Sequence, residues 1–204
     1  MLCVSGNSPS HSQADYICIP GMLEVNFKPF PTLSTHRLLL REIIDEDAAQ
    51  IFFLRSDKQV LQFLDRDPAQ SIAEAKEWIQ TIRQGIDNNE YIAWAISLKG
   101  DKKLIGTITL WNLKKEHYRS EIGYALHPAH QGQGLMQEAM DTVLHYGFKT
   151  MKLHSVEANV NPNNAPSIKL LERNNFIREA YHKENYYYNG KFLDSAIYSL
   201  ISPF

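Results

Sequence analysis

The chain has 204 residues, of which 44% are hydrophobic and 22% are charged, and its formal net charge is −2. These values are typical of one soluble domain with a core of its own. The charge argues against a direct nucleic-acid partner, since such proteins usually carry a basic face. The two cysteines, Cys3 and Cys18, provide neither a zinc-ligand spacing nor a disulfide framework. We therefore expect no metal and a reducing, cytoplasmic environment.

The N-terminal stretch differs in character from the rest of the chain. It is rich in Ser, Asn, Pro and Gly without hydrophobic periodicity, and Met22 offers a second start. It lacks a basic segment followed by an apolar one, and no apolar run in the chain approaches the ~20 residues that span a bilayer. We expect residues 1–32 to form a disordered tail, residues 33–204 to form a single domain, and the protein to make no membrane contact.

The first part of the domain combines one strand with several helices. Residues 37–43 (RLLLREI) read as a buried strand, and the acids at 45–47 supply a cap and first turn for a helix. A second helical run covers residues 60–64. Ser71 and Glu74 form a capping-box pattern that predicts the start of another helix.

Three β-type runs and a long amphipathic helix follow. The runs cover residues 91–97, 103–111 and 120–127, and the short turns between them predict an antiparallel meander. From residue 135 to residue 148 the apolar positions change to a helical period and form a wide stripe on one face. That helix is expected to pack on the sheet.

The C-terminal part is predicted as strand, helix and hairpin. Residues 153–160 read as a strand, and a helix starting at Asn164 is expected to end near Asn175, where asparagine can adopt the left-handed conformation. Two long strands then flank Asn189 and Gly190, a dipeptide that favours a type I′ turn. We see no internal repeat after residue 36.

The loop between the 120–127 strand and the amphipathic helix carries the strongest chemical signal. Gly132 and Gly134 permit a sharp turn with outward N–H groups, and the helix start adds a positive dipole end, so this segment is suited to a pyrophosphate. A glycine pair alone is also compatible with an ordinary helix entry. A Rossmann site would require a third glycine where Gln137 stands, and no G-x-x-x-x-G-K-[ST] segment occurs in the chain.

This segment resembles the pyrophosphate loop of the Gcn5-related N-acetyltransferases (GNAT), Q/R-x-x-G-x-G/A, with a larger residue, Met136, at its last position, as is common in the RimJ/RimL branch. The resemblance extends over about residues 33–201. It includes THRLLLREI at 35–43, EIGYALHP at 121–128, the N-x-N-P-N-N-A-P-S-I-K-L-L-E-R-N-N-F run from Asn159, and the closing NGKFLDSAIYSL hairpin. Such ordered agreement along the chain is more specific than any one motif.

The resemblance implies an α+β fold of the GNAT type, with helices flanking a mostly antiparallel sheet that splays between its fourth and fifth strands, 120–127 and 153–160. It further implies acetyl-CoA as the acetyl donor, with pantetheine in the gap between those strands. The positions that match the family's donor-binding residues are Leu126, His127, Gln131, Gly132, Gln133, Gly134, Leu135, Met136, Asn159 and Asn164. Asn164 is equally suited to a plain N-cap role.

The residues for proton transfer are less clear from the sequence. Glu121, at the start of the fourth strand, matches a position that is often acidic in the family and is a candidate general base, or simply a surface carboxylate. The tyrosine that many relatives use as an acid is replaced by Leu171. Ser167 resembles the serine proposed as the acid in the RimL branch, and it is equally suited to orienting the thiol sulfur.

The acceptor is expected to be a primary amine. An α-amino group with a pKa near 8 leaves about a tenth unprotonated at pH 7, so a protein N-terminus demands little of a base. A polyamine or another small amine is the alternative, and it would favour a carboxylate-lined mouth, for which the acids at 45–47, Asp65 and Asp67 are candidates. A non-catalytic acetyl-CoA sensor is a further alternative, and family habit leaves a homodimer open.

Overall fold

The structure is a computed structural model that describes residues 21–204, and it has the predicted α+β composition. The strands are β1 Leu33–Ser34, β2 Leu38–Arg41, β3 Ile92–Leu98, β4 Leu104–Lys114, β5 Arg119–Leu126, β6 Ser155–Val160, β7 Ile177–Tyr188 and β8 Lys191–Ile201. The α-helices are α1 Ala48–Ser56, α2 Lys58–Leu61, α3 Ile72–Asp87, α4 Leu135–Lys149 and α5 Ala165–Arg173. None of these helices is long and apolar enough to cross a membrane.

All eight strands form one sheet in the order β1-β2-β3-β4-β5-β6-β8-β7. Every neighbouring pair is antiparallel except β5 and β6, which run parallel. The predicted meander corresponds to β3, β4 and β5. Because β1 is a two-residue strand that the sequence pattern does not reveal, the strands predicted as fourth and fifth are β5 and β6 here.

The sheet opens between β5 and β6, as expected. Only three residues of β5 pair with β6, and the last pair is Glu121 with Glu157. Beyond it, β5 continues to Leu126 while pairing with β4 alone. The backbone of β5 therefore borders a gap whose opposite wall is formed by α5.

Helix α4 packs its apolar stripe on one face of this sheet. Its buried side chains follow the predicted spacing from Leu135 to Phe148. At Gly147 the helix comes so close that an added Cβ would lie 3.3 Å from the side chain of Leu110 on β4. The C-terminal half of α4 is thus packed closely against the sheet.

The predicted turn conformations at the C-terminal end are present. Asn175 has a φ of 63° just after α5, and Asn189 and Gly190 have φ values of 46° and 79° at the tip of the β7–β8 hairpin. Positive φ at both central residues is the requirement of a type I′ turn. Local residue chemistry therefore determined both chain reversals.

The packed part of the chain begins before residue 33, in contrast to the predicted tail at 1–32. The side chains of Leu23 and Phe27 are 3% and 1% exposed. The N–H of Leu23 also donates to a carbonyl in the turn after β4 at 2.9 Å. These side chains belong to the core although the stretch has no periodic pattern, because they insert singly from an irregular segment. Residues 1–20 of the predicted tail lie outside the described part of the chain.

Candidate active site

A cleft of about 540 Å³ lies where the sheet opens. Its walls come from the segment around α2, the end of β5, the glycine loop with the start of α4, and one face of α5. The side chains and backbone that line it are Gln59, Val60, Gln62, Phe63, Leu64, Tyr124, Ala125, Leu126, His130, Gln131, Gly132, Gly134, Leu135, Met136, Gln137, Asn164, Pro166, Ser167, Lys169, Leu170 and Arg173. Elements far apart in sequence therefore meet at one site.

The glycine loop has the geometry of an anion site. Gly132 and Gly134 have φ values of +73° and +72°, and Gly134 is the N-cap of α4. The first hydrogen bond inside the helix runs from the N–H of Glu138 to the carbonyl of Gly134. The N–H groups of the three residues before Glu138 therefore have no acceptor within the helix. With the positive end of the helix dipole, they form a site that favours a phosphate group.

An ion pair from outside the loop fixes this geometry. Arg37 donates from Nε to a Glu138 carboxylate oxygen at 2.6 Å and from Nη1 to the carbonyl of Gln133 at 2.9 Å. Thr35 also donates to the Glu138 carboxylate. Burial raises the pKa of Glu138, but the hydrogen bonds from Thr35 and Arg37 outweigh this effect and lower its pKa to about 2. Glu138 is therefore ionised at neutral pH and anchors the loop.

The inner edge of β5 offers backbone groups to the cleft. The N–H of His127 donates to the carbonyl of Ile105 on β4 at 2.8 Å. Because backbone groups point to alternate sides of a strand, Tyr124 and Leu126 direct theirs away from β4, toward the gap. The carbonyl of Leu126 accepts a hydrogen bond from the Gln131 side chain at 3.1 Å. An extended ligand in the gap would thus run beside Tyr124 and Leu126.

The start of α5 forms the opposite wall. The side chain of Asn164 caps this helix by accepting from the N–H of Ser167 at 3.1 Å. The predicted N-cap role is therefore present, and Asn164 also lines the cleft. Further along the same face, Lys169 and Arg173 are four residues apart and bring two cationic side chains to the cleft.

Two hydroxyl groups meet at the inner end of the cleft. Tyr124 Oη on β5 and Ser167 Oγ on α5 lie 2.7 Å apart, so they share a hydrogen bond. Burial raises the pKa of Tyr124 to about 12, against a smaller lowering effect of the Ser167 hydrogen bond. The phenol therefore keeps its proton at all physiological pH values. Leu171, which stands where many relatives carry a tyrosine, is fully buried.

Most of the predicted donor-binding residues border this cleft, and some do not. Gln131, Gly132, Gly134, Leu135, Met136, Leu126 and Asn164 line it, and so does Ser167, which was predicted as a catalytic residue. His127 does not, because its ring stacks on Phe53 at a centroid distance of 4.3 Å and its N–H is bonded to β4. Gln133 supplies a carbonyl to Arg37 instead. Asn159 is exposed on the sheet face opposite the cleft, since it shares its strand face with Glu157.

Glu121 also lies on the opposite face of the sheet. It pairs with Trp111 on β4 and with Glu157 on β6, and its carboxylate accepts a hydrogen bond from Asn112 at 2.7 Å. Trp111 is 47% exposed on this face. The structure thus separates Glu121 from Ser167 by the thickness of the sheet, at the point where the sheet opens.

Several site residues were not found from the sequence. Tyr124, Lys169 and Arg173 carry no motif of their own, and the alternation of β5 was interpreted only as a strand pattern. The Arg37–Glu138 pair joins positions about a hundred residues apart, so no local signal exists for it. The one available hint was the four-residue spacing of Lys169 and Arg173 in the helix that follows the Asn164 cap.

A comparison with protein families gives the decisive observation. A family profile described as "Acetyltransferase (GNAT) domain" matches residues 37–177, which is more than half of the chain. The chain belongs to the GNAT family. The matched region contains β2 to α5 and therefore all four walls of the cleft.

Curated relatives of this GNAT protein are N-acetyltransferases. An uncharacterized N-acetyltransferase of Bacillus subtilis, YoaA, is 36% identical over 85% of this chain and 98% of its own length. The [Ribosomal protein uS5]-alanine N-acetyltransferase of Escherichia coli is 26% identical over 86% and 93%. A spermidine N(1)-acetyltransferase of Vibrio cholerae is 25% identical over 78% and 89%. The protein is therefore an N-acetyltransferase, and this agrees with the predicted enzyme class.

A solved structure confirms the predicted fold. Mycobacterium smegmatis RimJ in complex with CoA-disulfide superposes with a TM-score of 0.75 at 20% identity, over 84% of this chain and 87% of that chain. The predicted resemblance to the GNAT family, with neighbours of the RimJ/RimL type, is thus confirmed. Acetyltransferases of this fold use acetyl-CoA as the donor.

Proposed function

We propose that this N-acetyltransferase transfers the acetyl group of acetyl-CoA directly to a protein N-terminal α-amine while both substrates are bound. The observation that carries the proposal is the cleft between β5 and α5, which begins at the glycine loop and ends where the sheet opens. Such an opening connects a phosphate site on one face of the sheet with an acceptor on the other. Proximity of the bound reactants then supplies much of the rate.

Different parts of the cleft would hold different parts of the donor. The backbone N–H groups after Gly134 would hold the pyrophosphate, which fits the dipole of α4 and needs no basic side chain. The backbone of Tyr124 and Leu126 would pair with the pantetheine amides across the gap. When bound, the donor supplies an acetyl thioester, and the chain's task is to position it and to exclude water.

The acceptor side favours an α-amine over a polyamine. Four of the acids that could line a polycation mouth are already engaged. Asp47 pairs with Arg41 at 2.7 Å and Asp45 with Arg83 at 3.6 Å. The carboxylates of Asp65 and Asp67 accept hydrogen bonds from Tyr186 and Tyr188 of the β7–β8 hairpin. Two of these carboxylates are thus balanced by arginines, and the other two are held by the hairpin hydroxyls, which supports an α-amine acceptor over a polyamine.

Glu121 and Trp111 would receive the acceptor amine on the far face of the sheet. An exposed indole attracts an ammonium group through a cation–π interaction, and the neighbouring carboxylate accepts a proton directly or through water. An α-amine has a pKa near 8, so only a modest base is required. This arrangement is the reason that Glu121 remains our candidate base despite its distance from Ser167.

The test is the release of CoA thiol from acetyl-CoA in the presence of a peptide that begins with Ala or Ser, compared with spermidine. We expect peptide-dependent release and mass-spectrometric addition of one acetyl group at the peptide's α-amine. The same peptide with a blocked N-terminus but a free lysine is the matched control, and it should give no product.

The alternatives predict different results. Release that depends on spermidine and not on peptide would replace the proposal with the polyamine function, for which the similarity to the Vibrio cholerae enzyme is the supporting observation. Binding of acetyl-CoA without transfer to either amine would contradict an α-amine acceptor. Absence of acetyl-CoA binding would contradict the donor assignment itself.

A further inference from the structure

The hydrogen bond between Tyr124 and Ser167 spans the gap where the sheet opens. Tyr124 lies three residues beyond the last β5–β6 pair, and Ser167 lies on the first turn of α5. Both side chains line the cleft, and their oxygens are 2.7 Å apart. The pair is therefore located at the inner end of the donor cleft, away from the phosphate site at α4.

Two hydroxyl groups that share one hydrogen bond keep one proton for another partner. Each hydroxyl has a single O–H donor, and the mutual bond uses one of the two. A phenol is a stronger acid than an aliphatic alcohol and is thus the better donor. When Tyr124 donates to Ser167 Oγ, the Ser167 proton remains available to a group in the cleft.

We infer that Tyr124 and Ser167 act as one unit in which Tyr124 holds the Ser167 hydroxyl so that it donates a hydrogen bond to the sulfur of the donor thioester. The inference rests on the proposed function and on the role of Ser167 that the family resemblance implies, and it adds Tyr124 as the residue that sets the direction of the Ser167 hydroxyl. Ser167 would be the catalytic residue in contact with the sulfur, and Tyr124 a positioning residue. Asn164 supports the same arrangement by fixing the Ser167 backbone through its cap.

The transfer requires stabilisation of the sulfur more than a strong acid. The amine nitrogen forms the C–N bond, the C–S bond breaks with its electron pair going to sulfur, and the proton that nitrogen loses balances the one that sulfur takes up through water. The pKa of Tyr124 is raised to about 12 by burial, whereas a thiol has a pKa of about 8.5. Tyr124 would therefore not give up its proton, and a donated hydrogen bond is the contribution that this pair can make.

The first experiment measures binding and needs no acceptor. We would compare the Kd values of CoA and of desulfo-CoA, which lacks the sulfur, at about pH 9, where much of a free thiol is ionised. A hydrogen bond to the thiolate predicts that the wild-type enzyme prefers CoA by about tenfold. Ser167→Ala and Tyr124→Phe should reduce this preference to about twofold or less, and Ser167→Thr, which keeps the hydroxyl, should restore it.

The second experiment measures turnover with the peptide acceptor. Tyr124→Phe and Ser167→Ala should each lower kcat about tenfold with little change in the KM for acetyl-CoA, and the double variant should be no slower than either single one. Tyr146→Phe is the matched control, because Tyr146 is a partly buried tyrosine that packs on Trp94 outside the cleft. It should leave both the preference and kcat unchanged.

Each result decides the inference. If the losses of kcat in the two single variants multiply in the double variant, the two hydroxyls act separately, and the inference is overturned. A Tyr124→Phe enzyme that keeps the wild-type preference for CoA over desulfo-CoA would also overturn the inference. If the wild-type enzyme acetylates no tested amine, the proposed function fails, but the binding comparison still decides whether the pair contacts the sulfur.

Discussion

At the scale of single residues, Gly132 and Gly100 are a natural comparison. Both have positive φ, +73° and +84°, and neither has any atom within 4 Å of where a Cβ would stand. An alanine at either position therefore meets the same backbone penalty of about 1–2 kcal/mol. Only Gly132 borders the cleft, whereas Gly100 lies in the turn between β3 and β4.

This difference predicts the outcome of two substitutions. Gly132→Ala and Gly100→Ala should each lower the free energy of unfolding by about 1–2 kcal/mol in denaturant titrations. Only Gly132→Ala should weaken acetyl-CoA binding, by about tenfold in calorimetry, because its methyl group occupies the approach to the anion site. An unchanged Kd for Gly132→Ala would place the pyrophosphate elsewhere.

Glu138 is the residue whose ionisation matters most for the glycine loop. Hydrogen bonds from Thr35 and Arg37 overcome the effect of burial and lower its pKa from 4.5 to about 2. A depressed pKa means that the ionised form stabilises the fold. This contribution is complete above about pH 4.5 and is lost as the pH falls toward 2.

Glu138→Gln tests this linkage. The variant should be less stable than the wild type at pH 7, and the difference should shrink between about pH 4.5 and pH 2, since the wild-type carboxylate is protonated over that range. Thermal unfolding at a series of pH values provides the measurement. Glu77→Gln, at an exposed position of α3, is the control and should follow the wild-type profile. A parallel offset at every pH would contradict a role for the charge.

At the scale of elements, α5 contributes more to the cleft than its predicted cap. Its first turn positions Ser167, and its second and third turns bring Lys169 and Arg173 to the same wall. CoA carries a phosphate on its ribose in addition to the pyrophosphate. We expect these two side chains to meet that phosphate as the nucleotide leaves the glycine loop.

This expectation can be tested with CoA and dephospho-CoA, two ligands that differ by one phosphate. The wild-type enzyme should bind CoA more tightly than dephospho-CoA, and Lys169→Ala with Arg173→Ala should remove most of that preference while leaving dephospho-CoA binding within about twofold. Lys76→Ala, on the distant helix α3, is the control for loss of a positive charge. Equal weakening of both ligands by the α5 substitutions would show that the side chains act on the pyrophosphate or on the helix itself.

The β7–β8 hairpin and the segment between α2 and α3 form a second tertiary unit. Tyr186 and Tyr188 donate to Asp65 and Asp67, and Phe63 in the same segment lines the cleft. The hairpin tip therefore fixes one wall of the donor site from a distance of more than a hundred residues. From the sequence, Asp65 and Asp67 were candidates for an anionic mouth, because their tyrosine partners were not identifiable locally.

At the scale of the whole molecule, the segment before β1 completes the core. Phe27 is 1% exposed, and its backbone N–H donates to the Asn89 side chain at 2.9 Å. The segment also approaches the sheet near Trp94, whose indole N–H donates to the carbonyl of Pro31 at 2.7 Å. The enzyme therefore depends for its stability on residues that precede the region matched to the GNAT family.

Phe27→Ala should accordingly destabilise the enzyme by about 3–5 kcal/mol, the usual cost of truncating a buried phenylalanine. Met22→Ala, at a position that is 61% exposed, should change stability by no more than about 0.5 kcal/mol. Both values can be read from urea titrations. A small effect of Phe27→Ala would show that this segment contributes no packing energy to the domain.

The sequence by itself determined the features that depend on neighbouring residues. Hydrophobic period fixed the strands of the meander and the stripe of α4, and residue chemistry fixed the left-handed turns at Asn175 and at 189–190. It also identified the glycine loop, because positive φ at Gly132 and Gly134 is a local requirement. The GNAT resemblance added the mostly antiparallel sheet and the position of the gap.

Only the tertiary structure decided which distant side chains meet. Tyr124 reaches Ser167 because β5 continues past its last pair with β6, and Glu121 faces away from the cleft because strand residues alternate between the two faces. The Arg37–Glu138 pair likewise joins the start of the sheet to the start of α4. Such contacts depend on the relative placement of whole elements, and no local periodicity encodes them.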